Sequence, residues 1–172
     1  MSKTVPTFFK PLAISLSLVT IIIAAFFLLH KPAPLECPFS GLPWNSTEQE
    51  LFDAEGDFTS SYASTYGGLT YTYERRYLNR EGVIKYMFDE EGSLAGVAWA
   101  YTASNADDLD VVYQEIQSGV QELYGESEYH TANITNYGDV WKMKKGQIIL
   151  SAMNVGDNIA LQIAYERPDG EE

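Results

Sequence analysis

The chain has 172 residues, 45% of them apolar and 20% charged, which is enough for one ordinary domain and too little for a multidomain enzyme. Eleven basic residues against 24 acidic ones leave a net charge of −13, a balance that disfavours nucleic acid and anionic membrane surfaces as partners of the folded part. A single cysteine excludes an internal disulfide framework.

The charge is unevenly divided. Residues 1–31 carry Lys3, Lys10 and Lys31 and no carboxylate, whereas residues 32–172 carry eight basic and 24 acidic residues, a net −16. After a short N-terminal segment, 1–11, Leu12 to Leu29 forms an uncharged run of 18 residues, and a helix of that length spans roughly 27 Å, close to the thickness of a bilayer's hydrocarbon core. Three readings compete for it. A cleaved secretory signal has a shorter apolar stretch and a small-x-small site, whereas here Pro32 and Pro34 crowd the region that follows. A lipoprotein signal needs small residues just before its cysteine, but Cys37 follows Leu35 and Glu36; the plain alternative to all three, a buried core helix, fits poorly with apolar residues on every side. The favoured reading is an uncleaved single-pass transmembrane anchor over 12–30, held in the lipid bilayer. Lys3 and Lys10 before the span favour a cytoplasmic N-terminus and a C-terminal domain outside.

Residues 31–43 hold four of the seven prolines and read as an extended spacer, with Cys37 as a free surface thiol. The domain proper is expected over 44–166. Its first helix lies within Asn45–Gly56, where Thr47 and Glu50 form a capping box and Gly56 ends the helix. Residues 57–68 are polar and read as a loop. Leu69, Tyr71 and Tyr73 then alternate with Thr70, Thr72 and Glu74, and Ile84, Tyr86 and Phe88 alternate with Val83, Lys85 and Met87, the period of a half-buried strand. Asp89-Glu90-Glu91-Gly92 turns the chain into a strand over Leu94–Tyr101. Asn105 caps a second helix, whose Leu109, Val112, Tyr113, Ile116, Val120, Leu123 and Tyr124 recur at three- and four-residue steps until Gly125. A polar loop with His130 follows, then strands over 139–143, 147–153 and 158–165 and an acidic tail over 167–172.

This order predicts an α+β fold in which the N-terminal transmembrane helix is followed by a two-layer αβββαβββ domain with an antiparallel sheet. Residues 45–102 and 105–165 read as two repeats. The large apolar residues of each strand, Tyr71, Tyr86, Trp99 and Ile163 among them, belong under the helices. The opposite face shows small residues and methionines, and Thr72, Met87, Ala98, Met153 and Gln162 mark it as a candidate interaction face. A plain solvated sheet face is the competing reading.

Leu42-Pro43-Trp44 before a capped helix, Tyr86-Met87-Phe88-Asp89 with Gly92-Ser93-Leu94, and Glu122-Leu123-Tyr124-Gly125 at a helix end resemble uncharacterised small extracytoplasmic proteins of Gram-positive bacteria. More distantly, the element order is similar to the SmpA/OmlA and β-lactamase-inhibitor-protein-like folds. That resemblance implies a protein-binding, non-catalytic module outside the cytoplasm, with no site residues to carry over. The chain departs from it in lacking a lipobox at Cys37 and the inhibitors' cysteine pairs.

Chemistry-bearing motifs are scarce. There is no nucleophile elbow, phosphate loop, dinucleotide fingerprint or zinc-binding H-E-x-x-H. Of two histidines, His30 falls at the membrane boundary and His130 in a loop, so neither a His-based dyad nor a two-His metal site is expected. The carboxylates of Asp89-Glu90-Glu91 and Asp107-Asp108 suit a turn and a helix start. The sequence therefore points to a membrane-anchored, non-catalytic protein-binding or accessory module of the cell envelope, with no cofactor, no metal, no nucleic acid and an unknown envelope protein as partner. A small-ligand receptor is the runner-up, followed by a hydrolase using paired carboxylates.

Overall fold

The computed structural model describes residues 37–133, 135–143 and 145–167. The expected anchor over 12–30 and residues 168–172 of the tail lie outside the described residues, among which no helix is long and apolar enough to cross a membrane. The elements are α1 (Glu48–Glu55), β1 (Ser60–Ala63), β2 (Gly67–Tyr77), β3 (Arg80–Asp89), β4 (Leu94–Thr102), α2 (Ala106–Tyr124), β5 (Tyr129–Ala132), β6 (Asn136–Met143), β7 (Gly146–Val155) and β8 (Asn158–Glu166).

The expected αβββαβββ order of the domain is thereby corrected. Each half has four strands after its helix, and all eight form one antiparallel sheet in the order β1-β2-β3-β4-β8-β7-β6-β5. The strands that sequence reading passed over, β1 and β5, are four-residue edges, exposed along their whole length. An edge strand with both faces wet has no alternation to reveal it.

The two halves meet at β4 and β8, where Trp99 stands opposite Ile163. In each half the helix ends at a glycine with positive φ, Gly56 at 81° and Gly125 at 85°, and the edge strand starts four residues later. Each of those glycine carbonyls accepts a bond from an aromatic side chain of the next long strand. Tyr73 donates its hydroxyl to Gly56 at 3.3 Å and Trp141 its indole N–H to Gly125 at 3.0 Å.

The core lies between the helices and one face of the sheet. Leu51 of α1 and Leu109, Val112, Tyr113, Ile116 and Val120 of α2 pack with Tyr71, Ile84, Tyr86, Phe88, Trp99, Trp141, Leu150 and Ile163. Leu123, expected on the buried stripe, is 76% exposed. Residues 37–43, read as part of an extended spacer, pack against the sheet instead: Phe39 is buried, with its ring edge-on to Tyr77 and Tyr165 at 5.0 and 5.5 Å. Cys37, expected as a free surface thiol, is free but half-buried in this packing, and burial pushes its pKa up to about 12. Arg167, assigned to the tail, is also tied down. Its backbone N–H bonds Ala95 and its guanidinium pairs with Asp89 at 2.6 Å.

Candidate functional site

The face of the sheet turned away from the helices is laid out by strand register. One row across it runs Thr72, Lys85, Ala98, Ala164, Ile149, Val140, Tyr129. The next holds Ala100, Gln162, Ser151, Gly138 and Thr131. Small residues at the centre and longer ones to either side make a concave floor.

In the first half that concavity is filled. Tyr66, at the end of the β1–β2 loop, lies over Gly96, where a Cβ would come within 3.3 Å of the Tyr66 ring and 2.9 Å of the Met87 methyl. A side chain at this position would press on both neighbours. Thr70, Thr72 and Ala98 are buried in this half, at 2%, 5% and 0% exposure, with Thr72 bonded to Ser60 of β1 at 2.7 Å.

In the second half it stays open, as a trough of about 590 Å³. Ala100, Ala160, Ile149 and Met153 give it apolar walls, and Tyr129, Thr131, Asn136, Ser151 and Gln162 contribute polar groups. This size falls within the range of small-molecule sites. Lys85 reaches in from β3, with its ammonium 2.8 Å from the side-chain oxygen of Gln162. Burial pulls the pKa of this ammonium below the usual lysine value. It makes no ion pair among the described residues. On the far side Lys142 sits over the Tyr129 ring, 5.2 Å from its centroid.

Of the candidate interaction face, Met153 and Gln162 line the trough, with Met153 41% exposed. Thr72, Met87 and Ala98 lie on the same face of the sheet in the filled half and do not line it. The five residues do not form one continuous open surface. Lys85 was read from sequence only as part of this face's pattern; its reach across Ala100 to Gln162 depends on the pairing of β4 with β8, which joins residues 77 positions apart.

A second polar cluster lies on the other face. Asp139 is 1% exposed. It accepts bonds from Tyr113 and Gln117 of α2, both at 2.5 Å, from Ser127 at 2.6 Å and from His130 Nδ1 at 2.9 Å. Burial pushes the Asp139 pKa up, but the bonds from Ser127, Tyr113, His130 and Gln117 outweigh it and hold the carboxyl below its ordinary range. From sequence His130 is expected in a loop, without a His-based pair; the pairing of β5 with β6 instead sets it directly opposite Asp139. Among the described residues no hydroxyl or thiol hydrogen-bonds the other ring nitrogen of His130, and the cluster reads as the tie between α2 and the β5 edge.

The acidic clusters have local duties too. Asp89 accepts the Ser93 N–H at 2.8 Å within the β3–β4 turn, and Asp108 accepts from Tyr101 and from the Ser104 N–H at the start of α2. Among the described residues no group of histidine, cysteine and carboxylate side chains is arranged to hold a metal ion.

No family model matches the sequence, and no curated relative does. Among solved structures, the crystal structure of YjgB, a DUF4309 family protein of Bacillus subtilis, is similar to this chain with a TM-score of 0.50 and 13% sequence identity. The match covers 78% of this chain and 87% of that one. At that identity the likeness shows the fold alone. It agrees with a resemblance to uncharacterised proteins of Gram-positive bacteria; likeness to the SmpA/OmlA fold is not shown.

Proposed function

We propose that the chain is a membrane-anchored, extracytoplasmic and non-catalytic binding module of the cell envelope, and that it holds a small molecule in the trough of its second half. The observation that carries this reading is the contrast between two halves of like topology, one filled by Tyr66 and the other left open around a half-buried lysine. The open space is matched to a small ligand in volume and mixes apolar walls with a few polar groups. A broad protein-docking face is less well supported, because Thr72 and Ala98 are buried. The envelope location rests on the apolar run over 12–29 and the lysines before it.

The test is thermal unfolding of the full chain against a metabolite panel. A molecule that binds only the native state raises the midpoint, and Ala160→Phe, which fills the trough, should cancel that rise. A rise that survives Ala160→Phe, or no rise with any member, removes the trough as the site. Location is read separately by moving the thiol to an exposed turn, Asp157→Cys in a Cys37→Ser background. A membrane-impermeant maleimide should label intact cells; labelling only after permeabilisation places the domain in the cytoplasm.

A further inference from the structure

Among the described residues that line the trough, Lys85 is the only one whose charged side chain faces into it. Asp139 borders the trough, but its carboxylate is engaged on the opposite face by Tyr113, Gln117, Ser127 and His130. Glu166, on the same face as Lys85, holds the Gln147 amide at 2.5 Å and does not line the trough. The Lys85 ammonium has three donors, and its hydrogen-bond partner at 2.8 Å is the uncharged amide oxygen of Gln162. It thus stands half-buried and makes no ion pair among the described residues, although Glu74, exposed on the same face, is its diagonal neighbour on β2. Buried cations in proteins are ordinarily paired. The surroundings give the rest of the shape. Ala100, Ala160, Ile149 and Met153 offer apolar surface beyond the ammonium, and the Tyr129 ring closes the far side.

We propose that the trough takes a small amphipathic carboxylate, its head on Lys85 and its apolar body against Ala100, Ala160, Ile149, Met153 and the ring of Tyr129. The chain's net charge of −13 opposes this only at long range. At physiological ionic strength charges separated by more than about 8 Å are largely screened, and the contact at Lys85 decides. A neutral molecule of the same body would fill the trough and leave the ammonium as it is, so the head group should discriminate. This inference rests on the small-molecule reading above and adds a sign and a position to it.

The experiment uses the full chain in amphipol with two matched pairs of probes, octanoate with octanamide and 4-phenylbutyrate with 4-phenylbutanamide. At least one carboxylate should raise the midpoint by about 5 °C at about ten times its Kd, with its amide binding at least tenfold more weakly. Lys85→Met keeps the aliphatic stem and should abolish the preference, while Lys85→Arg should keep it; midpoints without ligand report whether each variant folds. Acid and amide binding equally, both blocked by Ala160→Phe, would overturn the carboxylate assignment and leave the small-molecule reading standing. No rise with either carboxylate, or a rise that Ala160→Phe leaves intact, overturns the inference itself.

Discussion

The two halves of the sheet share a frame and differ in what their loops lay over it. Both have a helix closed by a glycine, a four-residue edge strand and an aromatic side chain bonded to the glycine carbonyl. The residue just before the second strand is Tyr66 in one half and Thr135 in the other. Tyr66 covers Gly96 and Met87. Thr135 turns its hydroxyl to Asn133 at 3.1 Å and is exposed, leaving Gly138, Ser151 and Met153 open. The lesson is that backbone topology makes two concavities, and one loop side chain decides whether each is core or site.

The largest expected break between the halves is at Asp139, whose place in the first half is taken by Tyr71, the inward residue two before the carbonyl-capping aromatic. Asp139→Ala strands the Tyr113 hydroxyl and the Ser127 hydroxyl and should cost about 3 kcal/mol, a fall of about 10 °C in midpoint by calorimetry. The pH dependence follows from the depressed carboxyl. Its contribution is whole above the ordinary value of 3.8 and fades as pH falls below that towards the lower folded value. Acid unfolding of Asp139→Asn should therefore begin from lower stability and fall less steeply over that range. An unchanged acid slope would show that Asp139 is not a main source of acid sensitivity.

How much of this was legible follows from the same contrast. The helix boundaries could be read because capping is local: Thr47 and Glu50 bond each other's backbone three residues apart, and Asn105 accepts from Asp108. Large residues alternating with small ones placed Tyr86, Phe88, Trp99 and Ile163 inside, where they are fully buried. The edge strands were not legible, since SSYA and YHTA have no buried face. The site was legible only in part. Met153 and Gln162 could be assigned to the right face by period, but nothing in the sequence shows that Tyr66 folds over one end of it or that Lys85 meets Gln162.

Tyr66→Ser should turn the filled half towards the open one. Tyr66 is half-buried, so its loss should cost about 1.5 kcal/mol. The sharper readout is methionine oxidation by peroxide followed by peptide mapping. In the parent chain Met153, 41% exposed, should oxidise well ahead of the half-buried Met87; in Tyr66→Ser the two rates should converge. If Met87 stays slow, something other than Tyr66 protects it.

The smallest effect tests where the halves should behave alike. Thr47 accepts the Glu50 N–H at 3.3 Å and Asn105 the Asp108 N–H at 2.9 Å, so Thr47→Ala and Asn105→Ala should each cost about 1 kcal/mol. Their local consequences should still diverge. Helix α1 has eight residues and buries Leu51, whereas α2 has 19 and buries five side chains against the sheet. A lost cap is a larger share of what holds the short helix, because isolated short helices are not stable without packing. Hydrogen exchange of the Leu51 amide, which bonds the Thr47 carbonyl at 3.1 Å, should therefore accelerate more in Thr47→Ala than that of Leu109, bonded to the Asn105 carbonyl at 3.1 Å, does in Asn105→Ala. Equal acceleration would mean that both helices open only with the whole sheet, and that their difference in length has no bearing on local stability.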